Sequence, residues 1–116
     1  MREIKFRGYS KSLQKFIYGG ISIFEDEATI FDVNDMTNSA FEVELDSIGQ
    51  FTGLEDKKEF NIYEGDILEL PNGTTGVVEW LECGFVLRLK GETIWQNLLF
   101  NVVKHYSVVG NIYGCK

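Results

Sequence analysis

One histidine, two cysteines and eighteen carboxylates are the groups in this 116-residue chain with the widest chemical reach. His105 stands alone. A histidine-dependent triad needs a nucleophile presented beside it on a sharp turn, and no Gly-x-Ser-x-Gly stretch occurs. A single histidine next to an apolar run reads as a packing or surface residue. Cys83 and Cys115 lie far apart and form no Cys-x-x-Cys pair, so with one histidine they cannot supply four zinc ligands. They read as two reduced thiols of a cytosolic protein rather than as a disulfide. Asp32-Val-Asn34-Asp35 opens like a calcium loop, but Met36 and Thr37 fall where that loop needs an oxygen ligand and a glycine. Neither a Gly-x-x-x-x-Gly-Lys-Ser/Thr loop nor a Gly-x-Gly-x-x-Gly fingerprint is available to cradle phosphates. Asp66, Glu69 and Glu79 are the carboxylates that could share one face, as a glycosidase or nuclease would require. Acids on strand exteriors ordinarily keep a sheet in solution. The expectation is a chain with no catalytic residues, no metal and no cofactor, and hence not an enzyme.

Strands must position whatever these groups do. Ile4, Phe6 and Tyr9 predict a first strand with Gly8 as a bulge or bend. Phe16–Tyr18 and Ile21–Phe24 read as two short strands about a Gly19-Gly20 turn, followed by a solvated turn at Glu25-Asp26-Glu27. Residues 28–33 form the next strand, and the side chains of 34–38 favour a turn. Phe41-Glu-Val-Glu-Leu-Asp46 alternates strictly, predicting residues 41, 43 and 45 buried and the acids wet. Asp66–Leu70 stops at Pro71, Asn72-Gly73 turns the chain, and Thr75–Leu81 and Phe85–Lys90 complete an antiparallel meander. Ile94, Trp95, Leu98, Leu99, Val102 and Val103 recur at helical spacing behind a capping Thr93, which predicts one short helix near 93–103. A last strand over 106–113 follows.

The fold class is therefore mainly β: a small antiparallel barrel or a strongly bent sheet, with that one helix. Gly65-Asp66-Ile-Leu68 followed by Gly76-Val-Val-Glu-Trp80 gives the second half an SH3-like character. Residues 1–116 read as a single domain; if it divides, the polar connector at 55–59 is the place.

Hydrophobic residues make up 44% of the chain and proline occurs once, which suits a folded domain rather than a disordered one. No apolar run approaches the roughly 18 residues of a membrane helix, and Ile4-Lys5-Phe6-Arg7 alternates where a signal peptide would be continuously apolar. Charge is unevenly placed. Residues 1–15 carry Arg2, Lys5, Arg7, Lys11 and Lys15 against Glu3 alone, whereas residues 16–56 carry ten acids and no Lys or Arg. The formal net charge of −7 repels phosphate, so general nucleic-acid binding is disfavoured unless the basic start forms its own patch. Either that basic strand neutralises the acidic segment internally, or the acids form a face that engages a basic partner or imitates DNA. Trp80, Phe85 and Trp95 read as core aromatics. Exposed, they could stack on bases or hold a peptide, but Glu79, Glu82 and Glu92 beside them weigh against nucleic acid.

Several runs together carry a resemblance. They are Met1-Arg-Glu-Ile-Lys-Phe-Arg7, Phe51-Thr-Gly-Leu-Glu-Asp-Lys57 and Ile62-Tyr-Glu-Gly-Asp-Ile67, then Gly76-Val-Val-Glu-Trp80, Gly84-Phe-Val86 and Val108-Val-Gly-Asn-Ile-Tyr113. The chain resembles the YopX family of bacteriophage and prophage proteins over nearly its whole length, least in residues 8–48. It departs at Gly8-Tyr9-Ser10, where the family often has Trp-Asp, and in Lys58-Glu-Phe-Asn-Ile-Tyr63, where the connector is usually different. The resemblance implies a phage or prophage origin and the cytoplasm of a bacterial host. It brings no catalytic residues and no established activity. The expected function is an accessory, non-enzymatic module that binds an unidentified host or phage protein or associates with itself as a homo-oligomer, with no membrane partner. The alternative is a nucleic-acid-associated module using the basic N-terminal strand.

Overall fold

Alternation of apolar and polar residues dominates this chain, and the computed structural model resolves it into strands. The structure describes residues 4–32, 39–81, 84–90, 95–97 and 103–114. Their strands are β1 (Phe6–Ser10), β2 (Lys15–Phe24), β3 (Glu27–Asp32), β4 (Ala40–Val43), β5 (Gly49–Glu55) and β6 (Asn61–Tyr63), with a short 3-10 helix at Leu45–Ser47. There follow β7 (Asp66–Glu69), β8 (Thr75–Leu81), β9 (Gly84–Leu89), β10 (Trp95–Asn97) and β11 (Ser107–Asn111). The protein is mainly β, as its alternation predicts, and its sheets are antiparallel. Their strand orders run open instead of closing into a barrel among the described strands. The chain divides into two compact units, Met1–Phe51 and Thr52–Lys116. Residues 55–59 belong to the second.

In the first unit the strand order is β4-β3-β2-β1-β5. Its core is formed by Ile17, Ala28, Ile30 and Val43, with Ile21, Phe41 and Ile48 packed against them. Three expectations change here. Gly8 is not a bulge: β1 pairs with β2 in unbroken register through Gly8↔Ile17. The glycine is needed for close approach, because a Cβ there would lie 2.6 Å from Val43 Cγ2 and 3.0 Å from Ile30 Cδ1. Nor does Gly19-Gly20 turn the chain. Gly19 is held between Phe6 on one side and Asp32 on the other, so partners on both flanks keep β2 extended through a locally turn-prone pair.

The 41–46 alternation also stops early. The Glu44 amide donates to the Tyr9 carbonyl at 2.9 Å. The Ser47 hydroxyl donates to the Glu44 carbonyl at 2.6 Å while accepting the Tyr9 amide at 2.7 Å. These bonds draw the chain into a 3-10 turn and leave Leu45 exposed rather than buried.

In the second unit β6 follows β5, and a separate sheet has the order β10-β9-β8-β7-β11. The β7-β8-β9 meander is present as its turn signals predict. Gly73 takes φ +90, its amide donates to the Leu70 carbonyl, and Asn72 Oδ1 accepts from the Thr74 amide. Ile62, Leu68, Val78, Leu87, Val103 and Tyr106 form the core. The helix expected near 93–103 is corrected in its first part: Trp95–Asn97 is a strand, with Trp95 opposite Arg88 and Asn97 opposite Val86, whereas Val103 at its end is helical. Three adjacent residues satisfy a strand as well as a helical stripe, and the open edge of β9 offers them hydrogen bonds that a lone helical turn lacks. Residues 91–94 and 98–102 lie outside the described residues, as do the 34–38 turn and the Asn34 to Thr37 part of the calcium-like run.

Candidate functional site

The motif-rich connector from Phe51 to Ile67 is built around two buried carboxylates. Asp56 is 4% exposed, at the point where β5 ends and the chain must double back to β6. Its Oδ1 accepts the amides of Lys58 and Phe60 at 2.8 and 2.9 Å, and its Oδ2 accepts the amide of Val108, 52 residues away, at 2.9 Å. Backbone bonds reinforce the loop: Asp56 N–H donates to the Phe60 carbonyl, and Lys57 N–H to the Tyr106 carbonyl. One side chain thus closes the turn and ties it to the residues entering β11. Thr52 does similar work at the start of the run, donating to the Ile62 carbonyl at 2.8 Å and accepting from the Leu54 amide at 3.1 Å. Gly53 and Gly65 take φ +86 and +93, where a side chain would be strained. Asp66 is also buried, and its Oδ2 accepts the Tyr63 amide at 2.8 Å across the turn that contains Gly65. These carboxylates face backbone N–H groups rather than solvent.

The proposed carboxylate constellation does not assemble. Ile67 pairs with Val77, so Glu69 and Glu79 share the face of that pair and Asp66 alternates to the other. Glu79 is instead paired with Arg88, whose Nε and Nη2 reach its Oε2 at 2.7 and 2.6 Å. His105 is exposed. Cys83 and Cys115 lie outside the described residues. Among the described residues no group of three His, Cys, Asp or Glu is arranged to hold a metal ion, and no helix is long and apolar enough to cross a membrane.

The basic start of the chain is taken into the first unit's packing. Arg7 is 5% exposed, with its guanidinium over the Phe16 ring at 4.6 Å. Lys5 Nζ lies 5.2 Å from the centre of the Phe51 ring. Tyr9 meets Phe16 edge-on at 5.6 Å. Lys11 pairs with Glu44 at 2.9 Å, and that carboxylate, by hydrogen bond and then by charge, raises the exposed Lys11 ammonium above its ordinary pKa. Arg2 lies outside the described residues. Of the sheet aromatics, Trp80 is half exposed and packs edge-to-face on Phe85 at 4.9 Å; the side chain of Trp95 lies outside the described residues.

Among the described residues two surfaces stand out. On β7–β9 a depression of about 390 Å³ is floored by Ile67 and Val77 and rimmed by Arg88 and Lys90. On the first unit, the outward face of β2 and β3 presents Phe24, 74% exposed, and Phe31, 49% exposed. Sequence reasoning placed both rings in strands without seeing them as surface. The usable signal was that Phe31 is an odd-numbered neighbour of the buried Ala28 and Ile30, so alternation turns it outward.

A mainly β chain of two open-sheet units, with a turn-forming acidic connector at its centre, defines the class. The chain belongs to the YopX family: the family model described as YopX protein matches residues 5–114. A search of curated proteins finds no match. Among solved structures the chain is similar to protein EF1440 from Enterococcus faecalis, at 20% identity and a TM-score of 0.60 over 98% of this chain and 96% of that one. At that identity the likeness is one of fold.

Proposed function

We propose that this chain is a phage- or prophage-encoded accessory protein that acts by binding another protein in the bacterial cytoplasm, and that it is not an enzyme. The observation that supports this reading is how the buried carboxylates are used. Asp56 and Asp66, in the most family-like segment, accept backbone N–H groups that hold turns, and Glu79 is engaged by Arg88. What the fold leaves available is surface: exposed aromatic rings on a sheet whose segment carries ten acids and no base.

The alternative, a nucleic-acid module working through the basic start, is weakened by Arg7, which lies buried over Phe16 where a phosphate cannot reach it. Affinity capture from a lysate of infected bacteria, with nuclease treatment, tests the choice. The expected result is one stoichiometric host or phage protein that survives nuclease. Recovery of nucleic acid released by moderate salt would overturn the reading, since phosphate-driven binding falls steeply with ionic strength.

A further inference from the structure

We infer that the outward face of β2, β3 and β4 is a docking surface for a cationic protein segment carrying apolar side chains, a proposal that rests on the protein-binding reading and names its surface and its partner's chemistry. Register defines this face. Gly20 lies opposite Phe31 and Phe31 opposite Ala40; Ser22 lies opposite Thr29 and Thr29 opposite Glu42; Phe24 lies opposite Glu27. The core residues Ala28, Ile30 and Val43 belong to the other side, so these three rows point away from the core.

The rows make a shaped surface. Phe31 is flanked by the two smallest residues on the face, and nothing lies within 4 Å of where a Gly20 side chain would begin. The ring therefore has a low floor beside it on which a partner's side chain can lie against its face. Phe24 supplies a second exposed ring one strand over, two rows toward the hairpin end. Ser22 and Thr29 put hydroxyls between them. Aromatic anchors in this setting carry much of the energy of protein interfaces.

Charge selects the occupant. Glu25, Asp26, Glu27 and Glu42 are all exposed around the two rings, none is in an ion pair with a described residue, and no Lys or Arg occurs between residues 16 and 56. The surface is thus of one sign. A second copy of this chain would bring the same acids to the same face, and like charges so placed repel. Nucleic acid and anionic lipid are disfavoured for the same reason. A segment with Lys or Arg spaced among apolar residues satisfies both features, its cations meeting the acids and its apolar groups the rings.

The test uses a fluorescein-labelled peptide of alternating Lys and Leu, titrated against the full chain and followed by anisotropy. Three proteins are compared: the natural chain, Phe24→Ser/Phe31→Ser, and Glu27→Lys/Glu42→Lys, each checked for native circular dichroism and a cooperative melt. Binding is expected with the natural chain and should weaken at least tenfold in either variant. The aromatic variant leaves net charge unchanged, so its loss separates docking from general attraction between opposite charges. Equal affinity across the folded proteins overturns the proposal, as does a failure of the natural chain to bind. A natural chain that sediments as a dimer and becomes monomeric in Phe24→Ser/Phe31→Ser overturns it in favour of a second copy. Should the aromatic variant not fold, the charge variant decides alone. If the lysate yields a nuclease-resistant protein partner that both variants still capture, this surface is wrong and the protein-binding reading stands. If no protein is captured, both fall.

Discussion

Replacing Asp56 by alanine is expected to destabilise the protein by about 2–3 kcal/mol, read as a lowered midpoint in urea or guanidinium unfolding. The carboxylate accepts three backbone amides, two on one oxygen and one on the other, while almost wholly buried. Water can reach the exposed Lys58 and Phe60 and recover part of what their amides lose, whereas a donor left without an acceptor out of reach of water costs roughly 1–3 kcal/mol. Because Val108 is one of the three, the loss also reaches the strand that pairs with β7. Against a typical domain stability of roughly 5–15 kcal/mol, such a change leaves a marginal fold. Asp56→Asn should be milder. Its carbonyl oxygen can keep the Lys58 and Phe60 amides, but its amide group meets the Val108 N–H donor to donor. A loss below about 1 kcal/mol for Asp56→Ala, within the range of ordinary surface substitutions and small changes, would show that the fold does not depend on this residue.

The second large effect lies in the first unit. Gly8→Ala is expected to cost about 2–3 kcal/mol, the range of overpacking in a filled core. Its new methyl would meet Val43 Cγ2 at 2.6 Å and Val43 Cβ at 2.8 Å, distances that real Cβ atoms do not keep. Val43 is buried and holds Ile17 and Ile30 in place, so it cannot move away freely. The clash has one principal partner, which makes it testable by a double-mutant cycle. Val43→Ala alone should also destabilise by leaving a gap, whereas Gly8→Ala/Val43→Ala should recover at least 1 kcal/mol relative to the sum. Alanine keeps the Val43 Cβ, so the relief is partial, and strict additivity would mean that the Val43 methyl groups are not what excludes a side chain at Gly8.

Local pattern made the second unit readable. Pro71, Asn72-Gly73 and Gly84 mark its turns, and the strands between them follow from runs of apolar and β-branched residues whose partners are next in sequence. The first unit was harder because long-range pairing overrides local preference there. Gly19-Gly20 is turn-prone in isolation, but with β1 and β3 on its flanks it is the middle of a ten-residue strand. Leu45 continues an unbroken alternation, yet Ser47, bonded to Tyr9 from far along the chain, bends the backbone before Leu45 can be buried.

The surfaces were legible to different degrees. A segment with ten acids and no base is visible in the sequence, and so is the basic start. That Arg7 would lie over Phe16 depends on which strand β1 joins. Asp56 read as one polar residue of a charged connector, since its principal distant partner, Val108, is contributed by a strand near the other end of the chain. Family-like runs marked where the backbone must do something demanding, and the structure shows that here the demand is turn formation.

The measurement that bears most directly on the central claim is a residue-resolved map of binding. Nitrogen-15-labelled protein would be titrated with the captured partner and followed by amide chemical shifts. Perturbations concentrated in Gly20, Ser22, Phe24, Thr29, Phe31, Ala40 and Glu42 are the predicted result. Perturbations confined to the depression around Ile67, Val77, Arg88 and Lys90 would contradict it, and would move the function of this chain to its second unit.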